Sequence, residues 1–283
     1  MMLKKEKLKK IKLIITDLDG SLLNNSGMIT TRTKELIRKL KGKGVIFSFA
    51  SGRLHSALKL YAEELDIKAP IISLDGSFIQ SYPENNVLFQ SFVPKKQVIK
   101  ALDFSDRFLL NIALCHPGAV YFTERNSVIP QIMEKFGVKY IEVESYDNYL
   151  ENVLEIAIAS DFKDNVKFVR DRMSFPYSIG LRASYYKSQS HSGVYYLEIR
   201  KKGANKGKAL LKLCSHLNVR LPETAVIGDW HNDISLFHPK ALKVTLSNGI
   251  PELKRMADIV MSKDNNEEGA ADFLEMVWKA KTS

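Results

Sequence analysis

An apolar run that ends in two closely spaced aspartates is the most constraining feature of this sequence. Residues 13–16 are Leu, Ile, Ile and Thr, and Asp17, Leu18, Asp19 and Gly20 follow them. Such a run predicts a buried strand, and strand alternation would direct Asp17 and Asp19 to the same side. Gly20 would let the backbone turn sharply. Two carboxylates this close repel each other unless a cation lies between them or one carries a proton. The pair therefore predicts a divalent metal site, an acid/base carboxyl group, or both.

A second acidic cluster favours a site over an ordinary turn. Aspartates beside a glycine also cap simple turns, so the first cluster alone leaves that interpretation open. Residues 228–233, Gly-Asp-Trp-His-Asn-Asp, again follow an apolar run, Ala225 to Ile227. Two strand-end carboxylate clusters far apart in the sequence suggest one site that the fold assembles.

The length of the chain bears on the number of domains, and its net charge bears on the ligands that this site can bind. The 283 residues are enough for a full core and two domains. A formal net charge of +10 suits acidic ligands such as phosphate esters or nucleic acid. However, six lysines fall within the first twelve residues, and no later segment interleaves arginines with aromatic residues as a stacking platform would. The N-terminal run is therefore interpreted as a solvated arm, and the charge distribution argues against a nucleic-acid partner.

The sequence also predicts where the protein works. No apolar stretch approaches the about twenty residues of a membrane span, and Leu13 to Ile15 is too short for the apolar region of a signal peptide. The two cysteines, Cys115 and Cys214, do not form a Cys-x-x-Cys pair. These features predict a cytoplasmic protein without a membrane anchor.

Strand-like apolar runs alternate with helical patterns at both ends of the chain. Beyond the first run, strands are predicted at 45–50, 71–74, 225–227, 242–246 and 259–261. Helices are predicted at 31–42, 55–65 and 206–217, after Asn232, after Pro251 and from Glu268. This alternation predicts an α/β fold with a doubly wound, mostly parallel sheet.

The middle of the chain has a different pattern of predicted helices and strands. Here helices such as 95–108 are mixed with short strands rich in aromatic residues and valine. Those strands are expected at 119–122, 140–143, 155–159, 178–182 and 195–199. The pattern predicts an α+β domain inserted into the parallel sheet, so that core segments 1–82 and 201–283 flank an insertion of 83–200.

Two further segments offer groups that could bind a phosphate. A predicted strand ends at Ala50, and Ser51 and Gly52 follow it with a hydroxyl and backbone N–H groups at a helix start. A simple N-cap by Ser51 is the alternative. Residues 203–208, Gly-Ala-Asn-Lys-Gly-Lys, open a helix at Lys206. This cation could neutralise both a phosphate and the acidic cluster, and a solvated lysine is the alternative.

Together and in this order, these segments resemble the haloacid dehalogenase-like superfamily, and within it the Cof-type sugar phosphatases. The resemblance extends over nearly the whole chain. Its motifs are 17–23, 50–53, 74–77, 203–207, 228–233 and 265–269. The resemblance implies a Rossmann-like core with an inserted cap domain. It also implies a phosphatase that acts on a small phosphorylated metabolite, such as a sugar phosphate, with Mg²⁺ as cofactor.

The resemblance implies a role for each acidic residue. Asp17 would be the nucleophile that forms an aspartyl-phosphate, and Asp19 the general acid and base. Magnesium would bind the Asp17 carboxylate, the Asp19 main-chain carbonyl and Asp229. Asp233 would orient Lys206 or a water molecule instead of binding the metal directly.

The resemblance also implies which groups hold the phosphoryl oxygens as charge moves during transfer. They are the N–H groups of Leu18 and Gly52 and the side chains of Ser51, Lys206 and Asn232.

Some segments depart from the usual family pattern. Asp75 stands where many relatives carry asparagine, Trp230 and His231 are bulkier than the common residues, and 243–249 replaces a small apolar stretch. None of these is expected to touch the catalytic groups. The candidates for contacting the leaving group are Arg182, Lys187, His191 and Tyr195.

Three other functions stay open at this point. A phosphomutase would use the same scaffold and transfer the phosphoryl group within the substrate. A phospho-ligand sensor without catalysis is disfavoured, because an uncompensated acidic cluster is costly to keep. A basic nucleic-acid-binding protein would lose its ligand steeply with salt. The sequence leaves the oligomeric state undetermined.

Overall fold

The computed structural model describes residues 2–123, 138–187 and 193–283, with side chains from residue 5 onward. Its helices are α1 (Met2–Lys9), α2 (Thr31–Lys41), α3 (His55–Glu64), α4 (Lys95–Phe108), α5 (Lys163–Arg172), α6 (Lys206–His216), α7 (Pro251–Met256) and α8 (Gly269–Thr282). Its strands are β1 (Leu13–Thr16), β2 (Ile46–Phe49), β3 (Ile71–Ser73), β4 (Phe78–Gln80), β5 (Val87–Gln90), β6 (Asn111–Cys115), β7 (Val120–Phe122), β8 (Tyr140–Glu142), β9 (Glu155–Ser160), β10 (Leu181–Lys187), β11 (Tyr195–Lys201), β12 (Thr224–Ile227), β13 (Leu242–Thr245) and β14 (Ile259–Val260).

The chain folds into two compact units. The first unit consists of Met1–Arg53, Leu58–Leu88 and Asn205–Ser283, and the second consists of Leu54–Ala57 and Phe89–Ala204. The domain limits expected from the sequence, at 83 and 200, stay a prediction.

The first unit contains a parallel sheet with the strand order β14-β13-β12-β1-β2. All four residues of β1 are buried, as in a parallel sheet that is covered on both faces. Ile14 belongs to a core cluster with Leu36 of α2 and Phe273 of α8. Leu13 and Ile15 are also fully buried and point to the other face. The predicted fold class, an α/β protein with a parallel sheet and a second, α+β unit, is confirmed.

Two expected elements of this unit form differently. The strand expected at 71–74 forms as β3, but it pairs antiparallel with β4 in a separate sheet of order β3-β4-β5. A single parallel bridge, Ala50 with Ile72, connects it to the residue after β2. The helix expected after Asn232 is a 3-10 helix, His231–Phe237.

The prediction of a solvated N-terminal arm is wrong in part. Residues Met2–Lys9 form α1, and Leu8 is 5% exposed within the core cluster of the first unit. Lys281 of α8 donates from Nζ to Lys9 O at 3.0 Å. The apolar side chain of Leu8 thus anchors this segment in the core, while Lys5, Lys7 and Lys9 stay exposed.

The second unit is built on a six-stranded sheet of order β10-β11-β9-β6-β7-β8. The pairs are antiparallel except for β7 with β8. Helices α4 and α5 pack on the sheet through buried residues such as Val98 and Val166. The strand expected at 178–182 begins later, as β10. Strand β6 and helix α5 were not anticipated.

Within the described residues, no helix is long and apolar enough to cross a membrane. The cytoplasmic location stays a prediction.

Candidate active site

Three predicted site residues follow neighbouring parallel strands. Asp17 comes directly after β1, and its N–H donates to Ile227 O, the end of β12, at 2.9 Å. Asp229 follows β12 and Ser51 follows β2. Because the carboxyl ends of parallel strands share one edge of the sheet, the fold gathers these side chains there.

Lys206 lies at the centre of the site. It begins α6, where the Asn205 side chain caps the helix by accepting from Lys208 N at 2.8 Å. Lys206 is fully buried, and its Nζ lies 2.6 Å from Asp17 Oδ1 and 2.6 Å from Asp233 Oδ1. The alternative of a solvated lysine is therefore wrong.

Asp233 braces the turn after β12. Its Oδ1 accepts from Lys206, and its Oδ2 accepts from the N–H groups of Asp229 at 3.0 Å and Trp230 at 3.1 Å. These bonds tighten the 3-10 helix, and they occupy both carboxylate oxygens of a fully buried residue. Asp233 thus contacts Lys206, the residue that it was expected to orient.

Asp229 faces the loop after β1. Ser21 Oγ donates to Asp229 Oδ1 at 2.7 Å. Gly20 has a φ of +78°, and a Cβ there would lie 2.3 Å from Asp229 Oδ2. Glycine is therefore required at this position both for the left-handed turn and for the close approach of the carboxylate.

The carboxylates and the lysine shift one another's pKa values. Burial lowers the pKa of Lys206, but Asp17, Asp233 and Asp75 outweigh it, and the pKa lies above the usual lysine value. Burial raises the pKa of Asp17 well above its usual range, against the opposing effect of Lys206. Burial also raises the pKa of Asp229 to about 7, although the Ser21 hydrogen bond lowers it. One lysine does not balance this many buried carboxylates.

The donor set fits a hard divalent cation such as magnesium. Asp17, Asp229 and Asp233 can each place a carboxylate oxygen so that all three lie within 4.8 Å of one another. Asp233 already accepts bonds at both oxygens, so Asp17 and Asp229 are the better ligands. Oxygen ligands are those that magnesium prefers, and a divalent charge would offset the repulsion among these buried carboxylates.

Asp19 lies in a different environment from Asp17. Its side chain is 57% exposed, and both its oxygens are bound by Arg53, from Nη2 to Oδ1 at 2.5 Å and from Nε to Oδ2 at 2.8 Å. The Arg53 guanidinium also lies over the Tyr61 ring and donates to Tyr61 Oη at 3.2 Å. Strand β1 ends at Thr16, so strand alternation does not govern Asp19.

Ser51 and Leu18 lie where the sequence placed them, in the segments after β2 and β1. The Ser51 hydroxyl accepts from Arg53 N at 3.1 Å, a local turn contact. Helix α3 begins only at His55, so this contact is not the helix N-cap weighed as the alternative. This contact leaves the hydroxyl hydrogen of Ser51 available to a second partner. Leu18 is fully buried, and its carbonyl accepts from three N–H groups of the following turn.

The expectation that Asp75 does not touch the catalytic groups is wrong. Asp75 Oδ1 accepts from Asn232 Nδ2 at 2.9 Å and lies 4.0 Å from Lys206 Nζ. A Cβ on Gly52 would lie 3.3 Å from Asp75 Oδ1 and 3.7 Å from Asn232 Nδ2. Gly52, Asn232, Lys206 and Asp75 therefore form one cluster.

Sequence reasoning missed Arg53, Ser21 and Asp75 as members of the site. Ser21 and Arg53 belong to the motifs 17–23 and 50–53, but neither was expected to have a role. Among the leaving-group candidates, Arg182 and Lys187 lie on β10 and Tyr195 on β11. His191 lies outside the described residues.

A parallel core with a buried carboxylate–lysine cluster at its strand ends is the arrangement of an α/β enzyme for anionic substrates. A family model described as haloacid dehalogenase-like hydrolase matches residues 14–274. The chain belongs to the haloacid dehalogenase-like hydrolase family. The predicted superfamily and the prediction of an enzyme of this class are confirmed.

Named relatives match over nearly their full length. Phosphatase YwpJ of Bacillus subtilis (strain 168) is 26% identical over 291 residues, which cover 94% of this chain and 99% of that protein. The 5-amino-6-(5-phospho-D-ribitylamino)uracil phosphatase YwtE of the same organism is 25% identical, covering 94% of this chain and 98% of that protein. The crystal structure of a haloacid dehalogenase-like hydrolase from Bacteroides thetaiotaomicron superposes with a TM-score of 0.83 at 22% identity, covering 94% of this chain and 99% of that one. The last comparison bears on the fold alone.

Proposed function

We propose that the protein is a magnesium-dependent phosphatase that hydrolyses small phosphate monoesters through an aspartyl-phosphate on Asp17. The observation that carries this proposal is the buried contact between Asp17 and Lys206 at 2.6 Å, next to Asp229, in a chain of a hydrolase family. A carboxylate that attacks a phosphate dianion needs positive charge nearby, because the two anions otherwise repel each other.

The proposed reaction has two steps. In the first, an Asp17 carboxylate oxygen attacks the phosphorus atom as the ester P–O bond breaks, and Asp19 gives a proton to the departing oxygen. In the second, Asp19 takes a proton from water, whose oxygen attacks the same phosphorus atom and releases Asp17. The products are an alcohol and inorganic phosphate, and both aspartates return to their starting states.

The environments of the two aspartates support this division of work. Asp17 is 5% exposed and lies against Lys206, as suits a nucleophile that works out of contact with bulk water. Asp19 is exposed, as suits a group that exchanges protons with water and with a leaving group. Its two bonds with Arg53 orient the carboxylate that would act as the base of the second step. To act as the acid, Asp19 takes up a proton and loosens one of the two bonds.

The metal site in this proposal consists of the Asp17 carboxylate, the Asp19 main-chain carbonyl and Asp229. When bound there, magnesium would supply positive charge that offsets the repulsion among these groups and the substrate. Ser21 holds Asp229 in place from the other side, as groups behind a metal ligand commonly do.

The phosphoryl oxygens would be held by Lys206, Asn232 and Ser51 together with the N–H groups of Leu18 and Gly52. The proximity of Gly52 to Asn232 and the burial of Lys206 support this set. Donors fixed in advance by packing and hydrogen bonds do not have to reorganise during the reaction.

The proposed substrate class is a small phosphorylated metabolite. The name of the relative YwtE specifies a phosphorylated ribityl compound. Sugar-alcohol phosphates therefore belong in the substrate panel, beside hexose and pentose phosphates, nucleotides, pyridoxal phosphate and p-nitrophenyl phosphate.

The test is phosphate release from this panel by the purified chain, with magnesium and with EDTA. We expect release from at least one metabolite, its loss in EDTA, its return with added magnesium, and none from Asp17→Asn. Undiminished release from metal-free enzyme would contradict the mechanism. An isomerised sugar phosphate without free phosphate would replace the phosphatase with a phosphomutase.

A further inference from the structure

Residues 174–179 of the second unit expose three large apolar side chains. Phe175 is 81% exposed, Tyr177 is 57% exposed and Ile179 is 80% exposed. Single apolar side chains on a protein surface are common. Several of them within one short segment indicate a surface that another molecule covers.

Hydrogen bonds hold this segment in place. Lys100 Nζ donates to Tyr177 O at 3.1 Å and to Ser178 Oγ at 2.9 Å. The Ser178 N–H donates to Ser174 O at 2.8 Å, and the Ser178 side chain is buried. The segment thus buries a hydroxyl group and exposes its apolar side chains, which is the reverse of the usual arrangement. Because these bonds fix the backbone, the exposure is a property of the folded chain.

An arginine connects this segment to helix α5. The Arg172 guanidinium carbon lies 4.3 Å from the centroid of the Tyr177 ring and 5.1 Å from that of the Phe168 ring. Phe168 is itself exposed, and its ring packs against the Phe108 ring with the centroids 5.2 Å apart. The surface that results, called the apolar patch, consists of Phe168, Phe175, Tyr177 and Ile179.

Positive charges surround the apolar patch. Burial lowers the pKa of Lys100, and the nearby charges of Arg172 and Lys96 lower it further. The Lys202 N–H donates to Gly180 O at 2.7 Å, which places an exposed lysine beside the end of the segment. Among the residues that the structure describes, none of these four cations forms an ion pair.

The one carboxylate next to Arg172 in the sequence does not offset these charges. Asp171 Oδ1 accepts from Arg170 Nη2 at 2.6 Å and is paired with that residue. The apolar patch therefore combines exposed apolar side chains with an excess of positive charge, and a complementary partner is both apolar and anionic.

The shape and charge of the patch fit a membrane surface. Phe175 and Ile179 are so exposed that they protrude, whereas a site for a peptide would be a groove. A second copy of this chain would bring the same cations face to face. Stacked bases would contact the aromatic rings but would have no use for Ile179. Anionic phospholipid offers an apolar phase to protruding side chains and negative charge to the cations, and tyrosine is enriched at the headgroup level.

We propose that the apolar patch and its four cations form a surface for reversible contact with membranes that contain anionic phospholipid. Phe175 and Ile179 enter the boundary between headgroups and acyl chains, while the cations stay level with the phosphate groups. Such contact needs no spanning helix and differs from a membrane anchor, which the sequence does not predict. It is also independent of the proposed catalytic residues.

Phe175→Ser/Ile179→Ser removes the protruding side chains and keeps every charge. Both side chains are exposed, so the fold should tolerate the change. We expect affinity for vesicles of phosphatidylglycerol and phosphatidylcholine to fall by at least about tenfold. Met28→Ser/Leu60→Ser is the matched control, because it removes two exposed apolar side chains from the first unit.

Lys96→Gln/Lys202→Gln tests the contribution of the cations. Each basic residue at the surface is attracted to anionic lipid, so this variant should bind mixed vesicles about tenfold more weakly. Lys5→Gln/Lys7→Gln is its control, because it lowers the net charge equally at exposed positions of α1. This control should bind nearly as well as wild type, since charges outside the contact are screened by salt.

Sedimentation with vesicles measures binding, and thermal unfolding checks the fold of each variant. The inference is supported if wild type binds mixed vesicles but not phosphatidylcholine alone, and if Phe175→Ser/Ile179→Ser loses this binding while Met28→Ser/Leu60→Ser keeps it. Wild type that binds neither kind of vesicle overturns the inference. Unchanged binding by Phe175→Ser/Ile179→Ser, or equal losses in the variants and their controls, also overturns it.

The same variant tests the other two occupants. Analytical ultracentrifugation of wild type would show a dimer that Phe175→Ser/Ile179→Ser converts to a monomer, if the patch belonged to a second copy. Retention of single-stranded RNA by wild type, lost in this variant, would assign the patch to nucleic acid. Either result without vesicle binding overturns the membrane contact.

Discussion

The Nζ atom of Lys206 lies 2.6 Å from Asp17 Oδ1, and Lys206 is completely buried. The two residues come from opposite ends of the chain, one after the first strand and the other at the start of α6. A buried ion pair is weak support for stability by itself, because both groups lose their hydration. Its value here lies in holding positive charge beside the proposed nucleophile.

Lys206→Met should abolish most of the turnover and destabilise the protein. Loss of one preorganised cation is expected to lower kcat by about 10²-fold or more. Leaving Asp17 and Asp233 buried without their partner should lower the free energy of unfolding by about 3–5 kcal/mol. Phosphate release and urea denaturation measure the two effects.

Lys208→Met is the matched control, because Lys208 is an exposed lysine two residues farther along the same helix. It should keep both turnover and stability. A Lys206→Met protein with near-normal kinetics would remove Lys206 from the proposed site.

The pKa of Asp229 predicts how pH affects the metal-free protein. Burial raises this pKa from 3.8 to about 7. Between these two values the folded state binds more protons at Asp229 than the unfolded state, so stability from this group is lost as pH rises. The free energy of unfolding of Asp229→Asn should lack this pH-dependent contribution. Denaturation of both proteins in EDTA, on both sides of pH 7, measures the difference.

The same proton should compete with magnesium. Magnesium affinity is expected to rise with pH, by up to about tenfold per unit, and to level off above a pH of about 7. Ser21→Ala removes a hydrogen bond that lowers the pKa of Asp229. In this variant, magnesium affinity should therefore level off at a higher pH. Calorimetric titration with magnesium tests this, and affinity independent of pH in both proteins would contradict the assignment of Asp229 as a ligand.

Arg53→Lys should impair the proton transfer assigned to Asp19. Lysine keeps the charge but cannot bind both carboxylate oxygens in the fork that arginine provides. Because the Asp19 carboxylate is then less well oriented, hydrolysis of esters with alkoxide leaving groups should slow by about tenfold. Hydrolysis of p-nitrophenyl phosphate, whose leaving group needs little protonation, should change less.

Arg38→Lys on the exposed face of α2 serves as the control for this substitution. It should leave both substrates unaffected. If Arg53→Lys slowed both esters equally, Arg53 would act on the whole site and not through Asp19.

The strand ends were predictable because they depend on local pattern. The runs 13–15 and 225–227, which precede Asp17 and Asp229, are apolar at every position, as strands buried on both faces are. The run at 71–74 is apolar except for Ser73. Even so, β3 pairs mainly with β4, because a turn at residues 74–76 folds the chain back on itself. The sequence pattern does not determine which neighbouring strand a short strand pairs with.

The residues missed in the site depend on contacts between distant segments. Asp75 and Asn232 meet because the turns that carry them both pack against the start of α6, Gly76 against Asn205 and Ser235 against Gly207. The resemblance drew attention to Asp75 as a departure, but its position within the cluster required the fold. The N-terminal segment was misjudged for a similar reason, since α1, which carries the buried Leu8, packs against α8 from the other end of the chain.

The central claim is that Asp17 carries the phosphoryl group and Asp19 carries the proton. Asp17→Asn should form no phospho-enzyme and release no product. Asp19→Asn keeps the main-chain carbonyl but loses the acid and base. It should therefore lose far more activity on a sugar phosphate than on p-nitrophenyl phosphate.

Mass spectrometry of acid-quenched Asp19→Asn with p-nitrophenyl phosphate tests this claim most directly. Without a base to activate water, the phospho-enzyme should accumulate, and the account predicts a phosphate adduct on the peptide that contains Asp17. The same peptide from Asp17→Asn should carry none. An adduct on any other residue would contradict the assignment of Asp17 as the nucleophile.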